Sequence, residues 1–343
     1  MSVSQIPIQN LYYLLCYAWN QLDEGSLVDV SKLPSTELVD LFAIVLVKGV
    51  EHVARRGLER GYNPHEEELR GIRGRIDILS TARRFLLKHG RAACNFDELT
   101  TNTLANQIIK ATLRHLARDP DIDCDNRSAV LRLARNLLGV DDIVVTGQSF
   151  RRIQLHGNNG FYRFLLNVCE LIHGAWLVDQ SKGHHRFRDF LRDERKMAYV
   201  FQYFVYNFLR IERSDLKVFR EHISWKAESG MDPTLSLLPR METDVSILAG
   251  DRKIIIDTKY YREALSAHYE TEKLHSGNLF QLLSYLLNLK RPGDKIEGLL
   301  LYPAVDRKLD VLYEILGIPV RVKTINLEQP WHLIRDDLMR LVN

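Results

Sequence analysis

The stretch that decides the fold is KIIIDTK, residues 253–259. Three consecutive isoleucines are typical of a β-strand that is buried on both faces, as in the middle of a sheet covered by helices. The run ends with Asp257 and Lys259, which lie two residues apart. Because successive side chains of a strand point to opposite faces, these two charged groups share one face. The segment therefore predicts a central strand with a polar end.

Regular patterns on both sides of this strand predict an α/β domain. The predicted elements are an amphipathic helix at 194–213, strands at 216–226, 237–248 and 253–259, a helix at 274–290, strands at 296–303 and 319–327, and a C-terminal helix. A turn around Gly250 joins the second and third strands as a hairpin. The order of helix, three strands, helix and strand predicts a mixed central sheet flanked by helices.

The N-terminal half has a different pattern, in which a short strand-rich segment interrupts a series of helices. Helices are predicted at 9–22, 36–58, 104–118, 128–139 and 161–177, with short strands and turns over 61–78 and extended residues over 140–160. The sequence HGNNG at 156–160 is the best candidate for a domain boundary. We therefore expect an α+β N-terminal domain over residues 1–158 and a second domain over residues 159–343.

Composition places the chain among ordinary globular proteins. Its 343 residues carry a net charge of +3, from 47 basic and 44 acidic residues. A DNA-binding face would therefore depend on local clustering rather than on bulk charge. The four cysteines have no metal-ligand spacing, and no signal peptide or apolar run long enough for a membrane is visible. These features predict a reduced, cytoplasmic protein with no membrane segment.

The strand before the central strand supplies further acidic groups. Glu242 and Asp244 share one face of it, and hairpin pairing would bring them towards Asp257. Mg²⁺ prefers oxygen ligands and usually keeps several waters, so two carboxylates and a phosphate oxygen suit it. Lys259 would add positive charge beside the attacking water or the phosphate. The pattern predicts Asp244 and Asp257 as metal ligands and, with Lys259, as catalytic residues, although the same spacing also occurs in surface ion pairs.

The helix that follows offers three possible auxiliary residues, Asn278, Gln281 and Tyr285. Gln281 and Tyr285 are four residues apart and share a helix face, from which they would contact DNA or the attacking water. The alternative is an ordinary polar helix flank.

Two basic segments are candidates for binding surfaces. The first is predicted to contact DNA phosphates, or else to be a solvated loop, and consists of Lys182, His184, His185, Arg186, Arg188 and Arg192. The second is a candidate for partner binding and consists of Arg73, Arg75, Arg83, Arg84, Lys88 and Arg91. No GxxxxGK[ST] phosphate loop is present, so nucleotide hydrolysis would have to come from a partner.

Several blocks in one order make the chain resemble the McrC family, the nuclease subunits of McrBC restriction systems. The blocks are IPIQNLYYLLCYAW, KGVEHVARRGLERGYNP, GIRGRIDI, DELTTNTLANQIIKATL, QSKGHHRFRDF, LLPRMETD, DTKYY, TEKLHSGNLFQLLSYL and GLLLYP. They run nearly from end to end of the sequence.

The resemblance implies a C-terminal nuclease domain of the PD-(D/E)XK restriction-endonuclease-like fold. The family's pattern, an Asp followed by D-x-K, falls on Asp244, Asp257 and Lys259. It further implies Mg²⁺, double-stranded DNA containing modified cytosine, and a partner of the McrB type. That partner is a hexameric AAA+ GTPase; it binds the GTP, which this chain does not, and the N-terminal region of McrC stimulates it.

The resemblance has one notable departure. Gln202 stands where many superfamily members have a glutamate, so a third acidic ligand would come from Glu194, Glu221 or Glu242. Glu242 is favoured because it shares a strand face with Asp244. The proline of the signature is also displaced, to Pro239.

Three functional hypotheses follow. The leading one is a Mg²⁺-dependent endonuclease subunit that cuts DNA only with its GTPase partner. A second is a catalytically silent activator that organises the partner ring. A stand-alone nuclease is the third, and the modest charge and lack of a base-reading module argue against it.

Overall fold

The computed structural model describes residues 6–20, 38–155, 160–176, 194–260, 265–268, 271–304 and 308–342. Its internal contacts divide the chain into two compact units. The first, here called the sheet unit, combines residues 1–36 with residues 189–343. The second, here called the helical unit, comprises residues 37–188.

The secondary structure of the described residues consists of helices and strands at the following bounds. The α-helices are α1 (Ile8–Ala18), α2 (Leu38–Arg56), α3 (Ile78–Arg83), α4 (Leu104–Leu116), α5 (Cys124–Asn136), α6 (Gly147–Arg151), α7 (Gly160–Trp176), α8 (Glu194–Glu212), α9 (Ser276–Leu289) and α10 (Trp331–Met339). The strands are β1 (Gly61–Leu69), β2 (Arg75–Ile76), β3 (Ala92–Thr100), β4 (Lys217–Phe219), β5 (His222–Ile223), β6 (Met241–Glu242), β7 (Val245–Ala249), β8 (Arg252–Thr258), β9 (Leu265–His268), β10 (Thr271–Leu274), β11 (Lys295–Ala304), β12 (Asp310–Ile315) and β13 (Ile318–Asn326).

A mixed six-stranded sheet in the order β12-β13-β11-β8-β7-β4 forms the centre of the sheet unit. Strand β11 runs parallel to both β8 and β13, and the other neighbours are antiparallel. Ile254, Ile255 and Ile256 of β8 are all buried. The predicted central strand in a mixed sheet is thereby confirmed, and the turn before it has Gly250 at a φ of +63°, as a tight hairpin requires.

Helix α1 belongs to the sheet unit, where it packs against α8. Tyr12 and Tyr17 are buried there, and the amide of Asn207 on α8 donates to the carbonyl of Ala18 at 3.1 Å. The ring of Tyr13 stacks on Trp331 of α10 at 4.7 Å between centroids. Tyr12 and Tyr17 therefore belong to the core of the sheet unit.

The helical unit contains a three-stranded sheet, β1-β3-β2, and the helices α2 to α7. Helix α7 belongs to it because Tyr162 donates a hydrogen bond to Asn106 of α4 and accepts one from the backbone amide of Glu59. The contact division thus differs from the expected boundary between residues 158 and 159. It transfers α1 to the C-terminal residues and α7 to the N-terminal ones.

Several predicted elements require correction. The continuous strands expected at 216–226 and 237–248 are each broken in two, giving β4 and β5, and β6 and β7. Strands β3, β9, β10 and β12 and the short helices α3 and α6 were not predicted. Across the described ranges, no helix has both the length and the apolar character needed to cross a membrane.

Candidate active site

The site is centred on Asp257, a buried aspartate at the end of the central strand of the sheet unit. Asp257 is the last residue but one of β8 and is only 1% exposed. Its Oδ1 has no hydrogen-bond partner among the described residues. Its Oδ2 lies 2.9 Å from Nζ of Lys259, with which it forms an ion pair. A carboxylate in this setting carries a large desolvation cost that one neighbouring cation only partly offsets.

Asp244 comes from the break between β6 and β7 and reaches across to the end of β8. Its Oδ2 accepts hydrogen bonds from both the backbone amide and the hydroxyl of Thr258, each at 2.8 Å. The hairpin of β7 and β8 has its turn at Gly250, at the opposite end. The predicted convergence of Asp244 with the end of the central strand is therefore present.

Lys259 is held from two sides. Besides the contact with Asp257, its Nζ donates to Oε1 of Gln281 on α9 at 2.9 Å. Nε2 of Gln281 in turn donates to the hydroxyl of Tyr285 at 2.7 Å. The side chain of Lys259 is 15% exposed, so its ammonium has little freedom to turn away into solvent. Gln281 thus contacts Lys259 directly, and Tyr285 orients the amide of Gln281.

The electrostatics of the two carboxylates differ from those of surface acids. Burial raises the pKa of Asp257 to about 7; the nearby Lys259 opposes this shift and the charge of Asp244 adds to it. Burial also raises the pKa of Asp244, against the hydrogen bonds from Thr258. Paired, desolvated carboxylates with raised pKa values are a pattern of functional sites.

The donor set fits a hard divalent cation that retains water. The orphaned Oδ1 of Asp257 and the neighbouring Asp244 provide carboxylate oxygens without a full set of protein donors. Within the described part of the chain, no group of three or more His, Cys, Asp or Glu side chains is placed to hold a metal. Mg²⁺ binds through one or two carboxylates plus water and phosphate oxygens, so two suffice for it.

Two of the three candidates for a third acidic ligand, Glu242 and Glu221, have other partners. Glu242 lies 3.0 Å from the guanidinium of Arg220. Glu221 accepts hydrogen bonds from Ser246 at 2.8 Å and Lys253 at 2.9 Å. The expectation that Glu242 and Asp244 share a face of one strand is wrong, because the strand breaks between them. Glu194 stands at the first position of α8.

Two further predictions concern Asn278 and the basic residues expected to contact DNA. The amide of Asn278 donates to the hydroxyl of Tyr302 at 3.1 Å, and both side chains are buried, so Asn278 supports the packing of α9 on β11. The residues predicted to contact DNA, Lys182, His185, Arg186 and Arg188, lie outside the described residues, as do His184 and Arg192.

Two residues that matter to the geometry were not among the sequence predictions. Thr258 binds the carboxylate of Asp244 through two groups, and Arg220 contacts the segment just before Asp244. Thr258 stands between Asp257 and Lys259, so its position in the strand was a usable signal. No pattern in the sequence pointed to Arg220, because its contacts are with residues distant in sequence.

The helical unit carries an apolar groove that is lined in part by two arginines. Its volume is about 380 Å³, and Ile72, Ile78 and Leu87 in its wall are all more than 70% exposed. Arg70 and Arg91 also line it, and neither forms an ion pair within the described ranges. Such a surface suits a protein partner with apolar and acidic side chains.

Comparison with known proteins connects these features to one family. The family profile described as "McrBC 5-methylcytosine restriction system component" matches residues 5–303. The protein described as "Type IV methyl-directed restriction enzyme EcoKMcrBC", from Escherichia coli (strain K12), is 41% identical over 335 residues, which are 97% of this chain and 96% of that protein.

A solved structure has a similar fold. It is described as a "Refined half-complex from tetradecameric assembly of Thermococcus gammatolerans McrB AAA+ hexamers with bound McrC". The TM-score is 0.60 at 16% identity, and the match covers 98% of this chain and 75% of that one.

Proposed function

This chain belongs to the family of McrBC 5-methylcytosine restriction system components, and from that premise we propose that it is the DNA-cutting subunit of such a system. In this proposal the sheet unit is a Mg²⁺-dependent endonuclease of the PD-(D/E)XK type. It cleaves DNA containing modified cytosine when assembled with a hexameric GTPase of the McrB type. The chain also stimulates that GTPase, which binds the GTP.

The observation that carries the nuclease assignment is the burial of the Asp257 carboxylate without hydrogen-bond partners among the described residues. A side chain that is 1% exposed, has an orphaned Oδ1 and lies beside a second carboxylate is costly to keep as a purely structural group. A divalent cation would relieve that cost, because it favours the ionised form of both carboxylates. A surface ion pair, the alternative reading of Asp257 and Lys259, does not fit a residue so deeply buried.

In the proposed site, Asp244 and Asp257 hold the cation. When bound, Mg²⁺ would lower the pKa of a water and offset charge on the phosphate oxygens. Thr258 keeps Oδ2 of Asp244 in place through two hydrogen bonds, so the carboxylate is set before any ligand arrives. Asp257 needs to be ionised to bind a cation, and its raised pKa makes binding stronger at higher pH.

Lys259 supplies a positive charge beside the scissile phosphate in this proposal. Its ammonium now pairs with Asp257, and a cation bound there would compete with it for the carboxylate. Gln281 would then keep the ammonium within the site, because its Oε1 accepts from Nζ while Tyr285 fixes the orientation of the amide. Gln281 and Tyr285 are thus positioning residues for Lys259.

We assign partner binding to the helical unit. Its apolar groove, with the cations Arg70 and Arg91 at the rim, suits a protein surface of acidic and apolar character. The similar solved assembly contains McrB hexamers with bound McrC, and we extend that association to this chain. The second basic group of the sequence, around Arg75 and Arg83, lies in the same unit.

The proposal is tested in the complex of this chain with its GTPase partner, on DNA containing 5-methylcytosine. Asp244→Asn and Lys259→Ala should each abolish cleavage while leaving GTPase stimulation close to that of the wild type. Unchanged cleavage in both variants would show that the site is assigned to the wrong residues. A wild-type complex that hydrolyses GTP but never cuts would instead support the silent-activator hypothesis.

A further inference from the structure

The backbone around Asp244 is not held by a regular strand. Residues 243 and 244 lie between β6, which pairs with β5, and β7, which pairs with β4 and β8. The continuous hydrogen-bond ladder that fixes Asp257 is therefore interrupted at Asp244. Other contacts must set the direction in which this aspartate leaves the main chain.

Arg220 provides such contacts from the segment between β4 and β5. Its Nε donates to the carbonyl oxygen of Thr243 at 3.3 Å. Its Nη1 donates to the hydroxyl of Tyr203 on α8 at 2.8 Å, and its Nη2 lies 3.0 Å from Oε1 of Glu242. One guanidinium, whose side chain is 25% exposed, thus links α8 to both residues that precede Asp244.

The Thr243 carbonyl belongs to the peptide group that leads into Asp244. Because a peptide group is planar, fixing its oxygen also fixes the orientation of the Asp244 backbone nitrogen. The other side of Thr243 is held as well. Its amide donates to the carbonyl of Glu221 at 3.0 Å, and its hydroxyl accepts from the Glu221 amide at 3.1 Å and lies 2.9 Å from the hydroxyl of Ser246. Arg220 adds the link from this local network to α8.

The charge of Arg220 makes a purely electrostatic role at this place unfavourable. A guanidinium near a cation site repels the cation, since like charges raise each other's free energy. Glu242 offsets that charge through its ion pair. A positioning role explains why the arginine and its counter-ion occur together here.

We propose that Arg220 is a positioning residue for the cation-binding site, fixing the Thr243–Asp244 peptide group so that the Asp244 carboxylate faces Asp257. This inference rests on the proposed nuclease function. Tyr203 is its anchor on α8, and Glu242 is its counter-ion rather than a metal ligand.

The test measures Mn²⁺ binding to the full-length chain by calorimetry, without partner or DNA. Arg220→Ala should weaken Mn²⁺ binding about tenfold to a hundredfold, as loss of outer-shell support does at metal sites. Tyr203→Phe, which removes one hydroxyl, should weaken it less but in the same direction. Arg220→Lys should restore part of the loss, because a lysine reaches one of the acceptors but cannot bridge all three.

Arg213 provides a matched control. Like Arg220, it joins a carboxylate, that of Asp215, to a backbone carbonyl, that of Met339, in the sheet unit. Arg213→Ala should lower thermal stability without changing Mn²⁺ affinity. In the complex, Arg220→Ala should lower kcat for DNA cleavage with little change in KM; a rise in KM alone would mean that Arg220 contacts DNA, and would overturn the inference.

Two results separate this inference from the function on which it rests. Asp244→Asn and Asp257→Asn should each reduce Mn²⁺ binding; if neither does, the proposed metal site itself fails. If both reduce it while Arg220→Ala and Tyr203→Phe bind Mn²⁺ as the wild type does, the positioning role alone is wrong. Tighter binding by Arg220→Ala would likewise contradict it, because charge rather than position would then dominate.

Discussion

At the scale of single residues, Asp257 is where the stability and the proposed function of the chain conflict. The carboxylate follows three buried isoleucines and is desolvated, so its ionisation costs free energy in the folded state. Residues that violate a local rule of stability in this way are often functional. The cost of ionising Asp257 should be measurable in the pH dependence of the free energy of unfolding.

Asp257→Asn should change how stability depends on pH. The folded-state pKa is raised to about 7, above the unfolded value, so the folded state binds more protons between these values and loses stability as pH rises towards 7. Asparagine does not ionise, so the Asp257→Asn variant does not lose stability in this way as pH rises. At pH 8 without divalent cations it should be more stable than the wild type by about 1–3 kcal/mol, since one pKa unit is about 1.4 kcal/mol.

The measurement is urea unfolding at pH 5 and pH 8. The difference between the two proteins should shrink at pH 5, where Asp257 is protonated in the fold. A larger advantage for the variant at pH 5 than at pH 8 would contradict the assignment of the raised pKa.

Gln281 and Tyr285 should influence the rate of cleavage through Lys259. Gln281→Ala and Tyr285→Phe remove successive contacts that orient the ammonium. We expect kcat to fall about tenfold or more in each, with little change in KM, as for other outer-shell partners. Ser284→Ala on the same helix is the control, because the Ser284 hydroxyl donates only to the carbonyl of Phe280 on its own helix. If Gln281→Ala, Tyr285→Phe and Ser284→Ala all cleaved DNA at the same rate, the proposed positioning of Lys259 by Gln281 and Tyr285 would be wrong.

At the scale of elements, the packing of α9 on the sheet positions Gln281 and Tyr285. Gly298 of β11 makes this close approach possible, since a Cβ there would lie 2.7 Å from Leu286 and 3.0 Å from Leu282. Gly298→Val should therefore destabilise the protein by about 1–3 kcal/mol through overpacking.

Gly277, in the first turn of α9, offers the opposite case. A Cβ at Gly277 would meet no atom within 4 Å. Gly277→Ala should be neutral or stabilising by up to about 1 kcal/mol, because it reduces the entropy of the unfolded chain. Thermal unfolding compares the two variants; equal destabilisation would mean that α9 does not pack on β11 as described.

Strand periodicity was a good guide wherever local sequence decided the structure. The isoleucines of β8 indicated a buried strand, which the structure contains, and the alternation of side chains placed Asp257 and Lys259 on one face. The breaks at Arg220 and at Thr243 were not predictable, because the contacts that stabilise them come from residues distant in sequence. The edge strand β12 was missed since its side chains are largely exposed and show no clear alternation.

The candidate site was predictable in its chemistry but only in part in its geometry. Asp244 and Asp257 were predicted as site residues from residue type, strand pattern and resemblance. Glu242 was expected to share a strand face with Asp244, yet the strand is interrupted by a bend at Asp244 and Glu242 pairs with Arg220. No local pattern in the sequence encodes that bend.

At the scale of the whole molecule, the chain divides into two units to which we assign different tasks. Helix α1 was expected with the N-terminal half, but its aromatic face is buried in the sheet unit. The assignment of partner binding to the helical unit stays a prediction. It depends on the apolar groove and its cationic rim.

Reversing the charge of that rim should weaken the response of the GTPase partner. The double variant Arg70→Glu with Arg91→Glu should require roughly tenfold more protein to stimulate GTP hydrolysis, since repulsive charges at an interface oppose association. Arg132 and Arg135 on α5 are exposed arginines for a matched double reversal. Equal losses in the two double variants would contradict a specific role for the groove.

The central claim, that Asp257 is part of a metal-dependent nuclease site, is tested most directly by single-turnover cleavage of DNA containing 5-methylcytosine. The assembled complex is compared with Asp257→Asn and with Asp251→Asn, which alters an exposed aspartate in the turn before the same strand. We expect Asp251→Asn to cut at the wild-type rate, and Asp257→Asn to stimulate GTP hydrolysis normally yet show no cleavage at any Mg²⁺ concentration. Cleavage by Asp257→Asn at the wild-type rate would contradict the account.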